Sequence, residues 1–150
     1  MKEFITWSDE LSIGVKDVDD QHRKLVGMLN DLNVAVHGGW GKEARIKVIN
    51  DLFEYTRIHF ATEESLMGIF SYPNSVVHKK QHVDLIAMVN KYLHQYEEYP
   101  DKSSYDLVFF LNTWLAEHIM KDDKLLGEYL VKKGLSMEAA QKSWFKRVFG

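Results

Sequence analysis

Between His59 and His82 the chain reads HFATEESLMGIFSYPNSVVHKKQH, and this stretch holds two pairs of potential metal ligands at one separation. His59 stands four residues before Glu63, and His78 four before His82. Residues four apart on an α-helix share a face, one turn above the other. Each pair therefore forms a two-ligand claw. Pro73 falls between the claws, so one helix ends before it and another starts at it. A short connection makes these helices antiparallel neighbours, and both claws can point into one interior. Three imidazoles and a carboxylate converging inside a helical bundle suit a metal ion. A lone histidine on an apolar stripe is usually a hydrogen-bonded core residue. Two matched pairs flanking one turn are not explained that way. Nor is Glu63, because an unpaired buried carboxylate costs several kcal/mol.

The elements that must carry these residues follow from periodicity. Residues 1 to 18 contain Phe4, Ile5, Trp7, Ile13 and Val15 without a helical repeat, and read as an extended arm anchored by Trp7. Asp17 or Asp19 can cap a first helix, along which His22, Leu25, Val26, Leu29, Leu32 and Val36 recur at helical spacing up to Gly38-Gly39. His22 lies on that apolar stripe and joins the candidates. A second helix is expected from Lys42 to Phe70, with Phe60 beside His59. A third is expected from Pro73 to a stop at Pro100. Ser103 or Ser104 can cap a fourth, whose stripe is Leu107, Val108, Leu111, Trp114, Leu115 and His118. His37 and His94 fall off the stripes and are expected at the surface. The fold class is all-α: an antiparallel up-down four-helix bundle with an N-terminal arm. Residues 1–134 make the main domain. After Gly134, residues 135–150 read as a short extra amphipathic helix bearing Ala140, Trp144, Phe145 and Val148. It docks on its own bundle or, through Lys142, Lys146 and Arg147, touches a partner or a membrane surface.

Composition narrows the chemistry. With 150 residues, 45% hydrophobic and 27% charged, the chain can bury a core as one domain. A net charge of −3 leaves no basic footprint, so nucleic acid is not an expected partner. The absence of cysteine removes disulfides, thiolate zinc sites and iron–sulfur clusters, leaving histidine and carboxylate as ligands. No long apolar run marks a signal peptide or a membrane span, and the cytoplasm is the expected location.

The ligand candidates then match a known pattern. His22, His59-x3-Glu63, His78-x3-His82, and His118 followed by Asp123 resemble the ligands of the hemerythrins in their bacterial form. Asp19 to His22 (DDQH), His59 to Glu64 (HFATEE), Leu66-Met67, Tyr72-Pro73 and Trp114 to Ile119 (WLAEHI) support it. The resemblance covers residues 5 to 134. It implies two non-haem iron ions bridged by an oxo or hydroxo group, with O2 bound reversibly at the open position of one of them. By that resemblance His78, His82 and His118 hold one iron, His22 and His59 the other, and Glu63 and Asp123 bridge the two. Spacing alone would choose differently at one place. Five residues beyond His118 is a rotation of about 140°, whereas Asp122, at four, lies only about 40° away. The family pattern selects Asp123, which requires the helix to loosen after His118.

Five imidazoles and two carboxylates give the metals little negative charge, which favours O2 storage, delivery or sensing over oxidation chemistry. Phe60, Trp114, Leu115 and Ile119 are the candidates for a dry wall around the O2 site. Delivery would require a partner protein that consumes O2. The competing readings are a di-iron enzyme acting on peroxide or nitric oxide or oxidising iron, and a metal-storage bundle.

Overall fold

The computed structural model describes residues 5–134; the expected helix over 135–150, and Phe4 of the arm, lie outside the described residues. The arm enters with a single 3-10 turn at Asp9–Leu11. Four helices come next: α1 Lys16–His37, α2 Lys42–Ile69, α3 Ser75–Tyr96 and α4 Pro100–Glu117. A wider π turn, His118–Asp123, continues α4 into α5, Lys124–Lys132. Consecutive helices pack on one another, and α4 closes the ring against α1. This is an up-down four-helix bundle, with no strand among the described residues.

Three helix starts differ from expectation, each for a local reason. α1 begins at Lys16, ahead of both candidate caps. The Asp19 carboxylate is used elsewhere: it accepts Ser12 Oγ at 2.5 Å and the Ile13 N–H at 2.8 Å, pinning the arm to α1. α3 begins at Ser75, because Pro73 sits inside a turn closed by the Ser75 N–H on the Tyr72 carbonyl. α4 starts at Pro100 itself, where the missing N–H costs nothing. Ser104 is then buried one turn in, its hydroxyl donated to the Pro100 carbonyl and accepting from Arg45. The expected end of α1 holds, and α5 stops the same way: Gly39 (φ +71°) and Gly134 (φ +90°) take the left-handed conformation that stops each helix cheaply.

The apolar core is in two parts. The larger holds Leu25, Leu29, Leu32, Leu52, Phe60, Leu85, Val89, Leu107 and Ile119; Trp7 packs on its edge, with the Arg23 guanidinium 4.9 Å from the ring. The smaller gathers Ile13, Val15 and Val18 from the arm and α1, Leu66, Met67 and Tyr72, and Leu126 and Leu130 of α5. α1, α2 and the continuous α4–π turn–α5 run thus pass from one core to the other, and the polar layer between the two cores contains His22, His59, Glu63, His78, His82, His118 and Asp123.

Gly127 shows how tightly the arm closes the smaller core. A Cβ there would overlap the carbonyl oxygen and the Cβ of Ile13. Alanine normally strengthens a helix by ~1 kcal/mol over glycine. At this position the sign reverses: Gly127→Ala is expected to lower stability by ~1–3 kcal/mol, read as a reduced urea midpoint with unchanged slope.

Candidate metal centre

All seven side chains of the polar layer are buried, none above 3% exposure. The α2 claw puts His59 Nε2 at 3.2 Å from Glu63 Oε2. The α3 claw lies opposite, its two rings 4.8 Å apart in an edge-on arrangement. α1 contributes His22. The first residue of the π turn after α4 is His118, with Nε2 3.2 Å from that of His82. The π turn decides the last donor. Its wider winding returns residue i+5, not i+4, to the helix's inner side, so Asp123 is fully buried at the centre. Asp122 is left at the rim, its carboxylate 3.3 Å from His118 Nδ1 on the outer edge of that ring.

The two carboxylates each face both ways. Glu63 Oε2 lies 3.2 Å from His59 and 3.5 Å from His22, while Oε1 lies 3.1 Å from His82 and 3.5 Å from His78. Asp123 repeats this: Oδ2 is 3.0 Å from His22, and Oδ1 is 2.9 Å from His78 and 3.0 Å from His118. The donors therefore form two groups that share Glu63 and Asp123, one with His78, His82 and His118 and the other with His22 and His59.

Electrostatics sharpen the need for a cation. Both oxygens of Glu63 and of Asp123, both nitrogens of His22 and Nε2 of His78 are buried without an aligned hydrogen-bond partner. Leaving so many polar atoms unpaired is expensive, and a positive ion among them removes the penalty. Without one, the histidines substitute protons. Burial alone would depress His22, but its contacts with Asp123 and Glu63 outweigh that and raise its pKa to about 9. The same contest raises His78 to about 10. Burial opposes ionisation of Glu63 and Asp123, yet the surrounding imidazoles hold both carboxyls below their usual range. His59 goes the other way, since burial dominates and keeps its ring neutral. Imidazole nitrogens and carboxylate oxygens, with no sulfur, form a donor set suited to iron, zinc and related divalent metals.

The outer edges of three rings also meet polar side chains, two of them through hydrogen bonds. His59 Nδ1 donates to Gln21 Oε1 at 2.7 Å, and Gln21 is oriented by its amide donating to Thr62. His82 Nδ1 meets Glu64 at 3.2 Å, and His118 Nδ1 faces Asp122. Such contacts fix the tautomer that turns Nε2 inward. The sequence showed Gln21 and Glu64 only as parts of the supporting stretches DDQH and HFATEE; their contacts with the outer ring nitrogens of His59 and His82 come from the packing. Gln21→Leu is expected to weaken metal retention ~10–100-fold, measured by competition with a chelator.

Two aromatic rings back the three-histidine group: Phe60 stacks on His82 at 3.7 Å and Trp114 on His118 at 4.3 Å. Phe60, Trp114 and Leu115 also line a small apolar cavity with Leu25, Leu29, Leu52 and Thr56. Ile119, the fourth wall candidate, is fully buried in the larger core and does not line that cavity. His37 and His94 are exposed.

Comparison with known proteins agrees with this geometry. The family model described as "Hemerythrin HHE cation binding domain" matches residues 13–130. The chain belongs to the hemerythrin family. A bacteriohemerythrin of Stenotrophomonas maltophilia is 35% identical over 98% of this chain and 99% of its own. Another, from Pseudomonas aeruginosa, is 38% identical over 79% of this chain and 76% of its own. A hemerythrin crystal structure, of a leucine-to-tyrosine point mutant, superimposes with a TM-score of 0.74 at 26% identity; the match covers 91% of this chain and all of that one. This hemerythrin-family chain is thus a helical bundle with a buried, metal-binding cluster of histidine and carboxylate. No helix among the described residues is long and apolar enough to cross a membrane.

Proposed function

We propose that the chain binds O2 reversibly at a non-haem di-iron centre, for storage, delivery or sensing. The observation that carries this reading is the asymmetry of the donors: two carboxylates shared by one group with three histidines and another with two. His78, His82 and His118 would hold one iron, His22 and His59 the other, and Glu63 and Asp123 both. When bound, the iron pair supplies two electrons and a coordination position that the shorter donor group leaves open. The protein's part is to hold the donors still and keep water out. Gln21, Glu64 and Asp122 fix ring orientation from outside. Phe60 and Trp114 cover the three-histidine side. The cavity beside them is walled by leucines, and the Thr56 hydroxyl on its lining is spent on the Leu52 carbonyl at 2.7 Å. No group on that wall offers a proton, which disfavours release of reduced oxygen and favours return of O2 itself.

The test is an optical spectrum of iron-loaded protein cycled between anaerobic and aerated buffer. A colourless reduced form that gains charge-transfer absorption in air, and loses it when O2 is removed, is the expected result. Irreversible conversion to a ferric spectrum, with turnover of added peroxide, would instead establish an enzyme.

A further inference from the structure

On the flank of the bundle a cleft of about 330 Å³ opens between α2 and α3, within the size range of small-molecule sites. Phe60 and Ala61 make its α2 wall, and Val83 and Ile86 its α3 wall. Val83 leaves 65% of its surface in water and Ala61 is exposed, so the slot is open to solvent and apolar on both sides. Two apolar walls facing each other across a slot suit a flat aromatic ring. His82, one of the expected iron ligands, also lines it. Its Nδ1 meets Glu64 at 3.2 Å, and its Nε2 is turned inward, 3.1 Å from Glu63. A molecule in the cleft is therefore one imidazole ring away from the metal centre. Apart from Phe60, the cleft shares no lining residue with the apolar cavity beside Trp114 and Leu115, so it is a separate approach. Charge selects what enters. Arg57 lines the cleft, exposed and stacked 4.6 Å from the Phe53 ring, and no carboxylate among the described residues pairs with it. Lys79, one turn before Val83, adds a second cation to that face of α3. Glu64 is the acid of the lining, but its carboxylate is spent on the imidazole that faces the metals. Glu54, one turn before Arg57, does not line the cleft.

We propose that this cleft is an electron-entry site, where a flat anionic donor of the reduced flavin nucleotide class returns ferric iron to the ferrous state. The site's role rests on the iron pair proposed above. A centre that loses its oxygen in reduced form is left ferric, and only added electrons restore it. The flavin ring lies between Phe60 and Ala61 on one side and Val83 and Ile86 on the other, with its phosphate on Arg57. Counted from its neutral reduced ring, the donor gives up two electrons and two protons and leaves as oxidised flavin. The electrons pass by way of the His82 imidazole and turn two ferric ions into two ferrous ions. The protons go to bulk water through the open mouth of the cleft. Glu64 is a positioning residue here, holding the ring that the electrons cross.

Two measurements on the full-length protein test this. The first is binding of flavin mononucleotide to the metal-free protein, read as quenching of flavin fluorescence. Saturable quenching is expected in the parent. It should be ~10-fold weaker in Arg57→Glu and lost in Ala61→Trp, which fills the slot from an exposed position. Riboflavin, which lacks the phosphate, should bind ~10-fold more weakly than the nucleotide and be indifferent to Arg57→Glu. The second is anaerobic loss of the ferric spectrum when iron-loaded protein is mixed with reduced flavin mononucleotide. The rate should saturate with flavin in the parent and fall ~10-fold in both variants, with metal content and melting temperature unchanged. Absence of saturable binding, or binding indifferent to both substitutions, would overturn the proposal. So would a reduction rate that stays the same when both substitutions remove binding, since the cleft would then hold flavin without passing electrons. Neither readout requires reversible O2 binding. Protein that reduces through the cleft but fails to cycle O2 counts against the proposed function alone, and protein that cycles O2 without binding flavin counts against this site alone.

Discussion

Asp123→Asn is expected to empty the metal centre, while Asp122→Asn leaves it filled but less tightly held. The two residues are adjacent in sequence and chemically identical, so the contrast isolates geometry. Asp123 is fully buried, and its oxygens reach three imidazole nitrogens at 2.9–3.0 Å, one oxygen towards each donor group. An amide in its place keeps the shape but removes the negative charge and presents an N–H₂ group to one set of ligands. Loss of a shared donor exceeds the ~10–100-fold typical of residues that only orient a ligand. Asp122 belongs to that second kind, touching only the outer nitrogen of His118. Metal content after dialysis of the two variants is the measurement. If Asp123→Asn retains its metal and Asp122→Asn loses it, the assignment is reversed.

The second large effect is on the pH dependence of the metal-free protein. His22 and His78, raised to about 9 and about 10 from an ordinary 6.5, stabilise the fold fully below pH 6.5 and progressively less as pH climbs through those values. For His22 alone the shift corresponds to roughly 3 kcal/mol. Glu63 and Asp123, held below ordinary values of 4.5 and 3.8, contribute above those values and stop contributing as pH falls through their lowered ones. His59, kept neutral by burial, subtracts on the acid side. Metal-free protein should therefore melt highest between about pH 5 and 6.5 and lose stability steadily towards pH 10. Metal reverses the alkaline trend. A ring that coordinates through one nitrogen cannot also carry the second proton of an imidazolium, so loading must release protons, and apparent affinity must rise from pH 6 to 8. Thermal melts across pH, with and without metal, and proton release on loading measure this. A flat alkaline limb in the metal-free protein would show that the histidines do not hold the carboxylates through protons.

Much of the architecture was readable from the chain because the relevant rules are local. Helical period and glycine stops place four helices, and i, i+4 spacing puts His59 with Glu63 and His78 with His82 on single faces. Helix starts were less legible. Asp19 and Ser104 have the composition of caps, but their side chains are taken by Ser12 and Ile13, and by Pro100 and Arg45, partners that only packing supplies.

The sequence by itself determined the donor types, the absence of thiolate, the two claws and the bundle that brings them together, because each depends on residue identity and fixed spacing along one helix. The tertiary structure decided what depends on angles between elements. It made Asp123 the inward residue, since the π turn adds the winding that an ordinary helix lacks. It set the Glu63 and Asp123 oxygens towards both histidine groups at once. It recruited Gln21 and Glu64 to the outer edges of His59 and His82, and it sent Leu115 to the cavity but Ile119 to the solid core. Those outcomes turn on ångström-scale approach between helices far apart in the chain, which no pattern along a single helix records.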